Sequence, residues 1–176
     1  MERTKPDFKT QVSNQILNVF WTVLSFLPVL WYWMGRYPDI FLYASIAIST
    51  LCGLLPSSFF DSLQLSNNPD FYKKYGVKTI KKFVQNGDFI NMLFRKRDPH
   101  YKVIQNVRKM QTYLNTILMY ERYHFTCFIF FLMTTLLSFF QHYFMIPLLT
   151  TFCNVVYNVC PIFLQQYNRL RINKVT

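Results

Sequence analysis

Three runs of this chain contain no Asp, Glu, Lys or Arg: Thr10 to Gly35, Ile40 to Phe60, and Tyr123 to Asn168. Nothing else constrains the fold as strongly. About 20 consecutive apolar residues cross a hydrocarbon layer of roughly 30 Å, so the second run suffices for one membrane helix and the third for two. A spanning segment must also satisfy its own backbone hydrogen bonds, which a helix does. With 52% hydrophobic and 19% aromatic residues among 176, the chain is too apolar for an ordinary water-facing surface. The expectation is an all-α integral membrane protein, a four-helix bundle forming a single domain over 1–176. Its membrane helices fall at about 15–34, 40–60, 125–140 and 144–165, with an amphipathic, basic cytoplasmic segment at 61–122 between the second and third.

Local signals mark the breaks. Gly35-Arg36-Tyr37-Pro38-Asp39 is a tight turn, and Pro56 with its following serines ends the second helix. The small residues Ala44, Ser45, Ala47, Ser49 and Gly53 permit close helix contact. Asn68-Pro69-Asp70 reads as a helix start, with Asn as cap and Pro at the first position, and Gly76 ends that helix. Val77, Ile80, Phe83 and Val84 then make an apolar side opposite Lys78, Lys81 and Lys82, the pattern of a helix lying on an anionic membrane surface, ended by Asn86-Gly87. A long helix is expected from Pro99, with Val103, Val107, Met110, Leu114 and Ile117 on one stripe.

Charge sets the topology. Of nineteen Lys and Arg residues, twelve lie in 61–122, three in the amino tail and three in the carboxyl tail, while the two short turns hold Arg36 and none. The positive-inside rule therefore places both termini and the middle segment in the cytoplasm of a multi-pass cell-membrane protein. The net charge of +11 belongs to these loops, and no nucleic-acid partner is expected. The four cysteines sit inside apolar runs without a CxxC pattern, and no metal quartet is present, so no metal or cofactor is expected.

Polar groups inside a bilayer are costly, which makes them functional candidates. At about 100° per residue, Asn154, Asn158, Pro161, Gln165, Asn168 and Arg169 share an arc of about 100°. Interhelical hydrogen bonding explains such a face as readily as substrate binding does. The second constellation is Glu121 and His124, three apart and continuing the apolar stripe. Glu121 is positioned to orient the imidazole, leaving His124 as a general base toward a hydroxyl. The alternative is a simple interfacial pair at a helix entry. No convincing covalent nucleophile is present, with Ser57 and Ser58 at the end of the second helix the remaining alternative. In the expected topology both constellations meet at the cytoplasmic interface.

The segment Asn158-x-x-Pro161-x-x-x-Gln165-x-Tyr167-Asn168-Arg169-x-Arg171 resembles the C-terminal motif of the glycosyl-diaponeurosporenoate acyltransferase family of small bacterial membrane proteins. Glu121-x-x-His124 before a membrane helix is similar as well, and so is Tyr75-Gly76-Val77-Lys78 followed by Lys81-Lys82 and Asn86-Gly87. Two positions depart from the family pattern. Thr79-Ile80 stand before Lys81 where a Trp is usual, and Gln166 stands where a basic residue is common. The resemblance implies an enzyme of carotenoid biosynthesis that esterifies a sugar hydroxyl of a glycosylated carotenoid or lipid. The fatty acyl donor would be an acyl-CoA or acyl-carrier protein. Chemistry then assigns His124 as base, Glu121 as its partner, and Asn158, Gln165, Tyr167, Asn168 and Arg169 as substrate-binding residues. A non-enzymatic four-helix assembly partner is the competing reading, and a small transporter ranks behind both.

Overall fold

A computed structural model describes residues 8–84 and 107–173, and every regular element among them is a helix. These are α1 (Phe8–Met34), α2 (Ile40–Gly53), α3 (Ser57–Ser62), α4 (Pro69–Lys74), α5 (Val77–Ile80), α6 (Val107–Phe140), α7 (Met145–Asn154), a π turn (Val155–Val159) and α8 (Cys160–Asn173). The last three are continuous. Three stretches are long and apolar enough to cross a membrane: Gln11–Met34, Thr112–Phe140 and Met145–Asn173.

Every expected membrane-helix range shifts somewhere: α1 begins at Phe8 rather than 15, and the last helix runs on to Asn173 rather than ending at 165. The third membrane segment and the helix ahead of it are one 34-residue helix, α6, because Glu121 and Arg122 do not interrupt it. Residues 99–106 of that expected helix lie outside the described residues. The second membrane helix, expected at 40–60, stops at Gly53. Pro56 precedes α3 as a separate helix. Fourteen residues rise only about 21 Å, short of the hydrocarbon thickness.

The Gly35–Asp39 turn is built as its residues suggest. Asp39 accepts from the Phe41 N–H at 2.8 Å, capping α2, and pairs with Arg36 at 3.3 Å. At this end Val29, Tyr32, Trp33 and Phe131 form one core. Trp33 Nε1 donates to Thr134 Oγ1 at 3.0 Å, and Tyr32 OH donates to Gln141 Oε1 at 2.8 Å. The α1–α2 turn and the α6–α7 turn therefore lie at the same end.

α2 packs on α6 through a stripe of small buried residues, Ser45, Ser49 and Gly53. Each serine hydroxyl bonds back to the carbonyl four residues earlier, so neither asks anything of the neighbouring helix. Gly53 meets α6 most closely. A Cβ there would overlap Thr126 Oγ1 and stand 3.3 Å from Thr126 Cβ. Gly53→Ala is expected to cost about 1–3 kcal/mol of stability in detergent, the usual penalty of overpacking. Thr126→Ala in the same chain should recover most of that loss. Equal stability of Gly53→Ala and the parent would show that the two helices are not held this closely.

At the opposite end the segment after α2 folds back. Asn68 Oδ1 accepts from the Asp70 N–H at 3.0 Å, Pro69 opens α4, and Gly76 leaves it with a left-handed φ of 85°. Tyr72, Val77, Leu164 and Tyr167 form a second core, with Ile80 and Val84 packed against it. The surface helix expected over 77–86 is thus a single turn, α5. Val77, Ile80 and Val84 face α8, while Phe83 stays exposed. Lys78 points away from that core and stays exposed. The end expected at Asn86-Gly87 lies outside the described residues.

Candidate functional site

The stripe on α6 does continue inward: Ile117 is 1% exposed and Glu121 is 2% exposed. Glu121 is matched from α8 by Arg169, whose Nη1 lies 3.4 Å from its Oε2. Arg169, itself 7% exposed, spends its other donors on the returning segment. Nη1 donates to Asp61 Oδ1 at 2.9 Å, Nη2 to the Phe60 carbonyl at 3.3 Å and to Gln64 Oε1, and Nε to Gln64 Oε1 at 3.2 Å. A planar guanidinium presents five donors in a fixed fork, and here they join α3, α6 and α8 at one point.

Gln166 is the second member of this cluster. Its Nε2 donates to the Leu63 carbonyl at 3.0 Å, and its Oε1 accepts from the Leu65 N–H at 3.2 Å. Tyr72 OH stands 3.1 Å from that same Oε1 and 3.1 Å from the Ser66 carbonyl. Burial pushes the Tyr72 phenol above its ordinary range, which keeps it a neutral donor.

The helical wheel places Gln165 on the inner face, yet Gln166 takes that place. The π turn is the reason. Within Val155–Val159 the bonding steps to i−5, as in Cys160 N–H to the Val155 carbonyl. This inserts one residue and turns everything downstream by about 100°. Gln165 and Asn168 are left half-buried and contribute to none of the hydrogen bonds just described. Tyr167 is 7% exposed, but as part of the second core, with its ring centroid 6.2 Å from that of Tyr72. The Arg171 guanidinium lies 5.6 Å over the Tyr167 ring.

His124 joins a different group. Three residues on from Glu121, it is turned about 60° around α6 and faces the π turn. Its ring lies 5.5 Å from the Tyr157 ring and against both the Asn158 side chain and the Tyr157 backbone carbonyl. The hydrogen-bonded pairing expected between Glu121 and His124 is not made. Neither oxygen of Glu121 nor Nδ1 of His124 accepts or donates a hydrogen bond among the described residues. The carboxylate looks to Arg169 instead.

Asn158 is fully buried and its amide is oriented by a relay. Asn154 Nδ2 donates to the Phe128 carbonyl at 3.2 Å, so Asn154 Oδ1 is free to accept from Asn158 Nδ2 at 2.8 Å. Asn158 is left presenting Oδ1, which has no partner among the described residues. Beside it runs a chain of hydroxyls. Tyr157 OH is 3.0 Å from Tyr123 OH and 2.8 Å from Thr22 Oγ1. Ser57 Oγ accepts from Arg122 Nη2 at 3.1 Å.

Two sets thus emerge from the expected residues: Glu121 with Arg169, and His124 with Asn158. Asp61, Gln64, Tyr72, Gln166 and Tyr157 were not singled out from sequence. Asp61 sits in the six-residue α3 and Gln64 just after it, a stretch too short to show a periodicity, and only knowledge of the π turn would have promoted Gln166.

A family model described as glycosyl-4,4'-diaponeurosporenoate acyltransferase matches residues 56–176. That span holds every residue of both sets apart from Thr22. No curated protein and no solved structure matches the chain.

Proposed function

Because the chain belongs to the glycosyl-4,4'-diaponeurosporenoate acyltransferase family, we propose that it esterifies a hydroxyl of a glycosylated lipid or carotenoid with a fatty acyl group at the cytoplasmic face of the cell membrane. In this reading α2 and the turn after it complete a fourth crossing, and both termini are cytoplasmic. The donor is an acyl-CoA or acyl-carrier-protein thioester. His124 accepts the proton of the acceptor hydroxyl while its oxygen attacks the thioester carbonyl. The tetrahedral intermediate collapses, the C–S bond breaks, and the thiolate leaves and takes up a proton. No covalent acyl-enzyme is needed.

The observation that carries this reading is His124 Nδ1, buried and without a hydrogen-bond partner in strict geometry among the described residues, on an imidazole held against the Asn158 side chain. A base must be held within reach of the proton it takes and must not already be engaged. Depth supports the same placement. Counting about 1.5 Å per residue from Met145, Asn158 stands about 20 Å and Arg169 about 36 Å from the α6–α7 turn. Against a hydrocarbon layer of roughly 30 Å, Asn158 lies inside the apolar layer and Arg169 at its far edge. A glycosylated polyene anchored in the bilayer would bring its sugar to this depth, and a water-soluble thioester would meet it from the basic side.

The test is direct. Purified protein in detergent is given a glycosyl-diaponeurosporenoate and a fatty acyl-CoA or acyl-carrier protein, and products are read by mass spectrometry. The expected result is the mass of the monoacyl ester with one of the two donors. Folded protein that yields no ester with either donor would overturn the reading in favour of a membrane assembly partner.

A further inference from the structure

Arg122 is a cation without an acid. Arg36 pairs with Asp39, Lys73 with Asp70, and Arg169 with Asp61 and Glu121. Arg122 follows Glu121 on α6, and its contact Phe60 precedes Asp61, yet both of those carboxylates turn to Arg169. Among the described residues no carboxylate comes within ion-pair distance of the Arg122 guanidinium.

The group is nevertheless held in place. Its Nη2 donates to Ser57 Oγ at 3.1 Å, and its Cζ lies 5.0 Å from the centroid of the Phe60 ring. That ring is fully buried and fixed edge-on between Phe59 and Phe125, 5.5 Å from each, so the cation rests on a rigid aromatic platform. A guanidinium carries five N–H donors in a planar fork, and one of them is spent on Ser57. Nε and Nη1 make no hydrogen bond among the described residues. The Ser57 oxygen accepts from Arg122, which leaves its own hydrogen to give. The result is a cluster of donors around one positive charge.

Its height is that of the membrane surface. Counting about 1.5 Å per residue from Phe140, Arg122 stands about 27 Å from the α6–α7 turn. Against a hydrocarbon layer of roughly 30 Å, this is where headgroup phosphates begin. α2 ends at the same level, since a Cβ on Gly53 would stand 3.8 Å from the Arg122 carbonyl. Leu51 and Leu54 are exposed at that end of α2, so a chain hanging from an anion at Arg122 would meet apolar side chains. Arg122 and His124 point about 160° apart around α6 and do not share a site. An unpaired charge at the edge of an apolar layer is costly, and a fork of N–H groups matches phosphate oxygens bidentately.

We infer that Arg122 and Ser57, on the Phe60 platform, bind the phosphate ester of an acyl-bearing amphiphile. Two sources supply that chemistry: the headgroup of an anionic phospholipid in the surrounding leaflet, and a phosphate of an acyl-CoA. The site stands whether or not His124 acts as a base.

Native mass spectrometry of the full-length protein in a non-ionic detergent tests it. Phosphatidylglycerol, a fatty acyl-CoA and diacylglycerol, the control without phosphate, are offered separately. The parent should retain phosphatidylglycerol or the acyl-CoA saturably, and diacylglycerol far less. Arg122→Gln should weaken the phosphate-bearing ligand about tenfold, the factor that follows from losing hydrogen bonds to a charged group. Arg122→Lys keeps the charge without the fork and should fall between the two. A loss confined to phosphatidylglycerol identifies a headgroup site, and one confined to the acyl-CoA identifies a donor site; either supports the inference. Retention of diacylglycerol equal to that of both phosphate ligands would overturn it, as would undiminished phosphate-ligand binding in both variants.

Discussion

Arg169→Met is expected to lower the stability of the folded protein by about 3–5 kcal/mol, the cost of breaking a buried ion pair by removing one partner. Glu121 is 2% exposed and loses the cation that faces it. The Phe60 carbonyl and Gln64 Oε1 lose donors in the same step. Asp61, whose side chain is largely exposed, turns to water and adds little. The double variant Glu121→Gln with Arg169→Met should be less damaged than the single one, because it no longer buries a lone carboxylate. Unfolding in mixed detergent micelles measures both. Since Arg169 and Gln166 tie the returning segment to α8, tryptic cleavage between Lys73 and Lys82 should also accelerate in Arg169→Met. A loss below about 1 kcal/mol with unchanged cleavage would mean that the guanidinium does not hold these helices together.

His124→Gln is expected to lower ester formation by about 10²–10⁴-fold, the usual range for removing a general base, while membrane abundance and stability change little. Glutamine keeps a polar side chain of similar reach but has no nitrogen lone pair able to take a proton. Glu121→Gln provides the contrast. The carboxylate faces Arg169 and makes no bond to the imidazole, so its loss should act through stability and leave the rate per folded molecule within a few-fold. Rates normalised to folded protein separate the two. A His124→Gln variant retaining more than about a tenth of the parent rate would remove His124 from the chemistry. A Glu121→Gln variant as inactive per folded molecule as His124→Gln would restore the two residues to a single catalytic pair.

The helical class, the Gly35–Asp39 turn, the Asn68 cap and the stop at Gly76 could all be read from sequence, because each depends on neighbours within four residues. So could the burial of Asn154, Asn158, Glu121 and Arg169, since polar residues on an apolar stripe have few other places to go. What escaped the sequence was pairing. Glu121 and His124 are neighbours by spacing, but the choice between His124 and Arg169 as partner lies with a helix some 45 residues on. Gln166 escaped for a different reason. A wheel assumes constant pitch, and a π turn has no reliable residue signature. Of the apolar residues expected on a surface helix after Gly76, Val77, Ile80 and Val84 pack in the second core with Leu164 and Tyr167, and Phe83 stays exposed.

The π turn also makes chain length a determinant of how the last helix is phased. Substitutions within 155–159 alter contacts at one height of the helix. Gain or loss of one residue there would act like a key cut one notch out of step, swinging every later side chain about 100°. Gln166 and Arg169 would leave α3 and α4 together, while Asn154 and the membrane-embedded half stayed in place. The two halves of the helix are thus set in phase by a single residue, so an insertion or deletion would separate the Asn154 amide from the Gln166–Arg169 latch without changing the composition of either half.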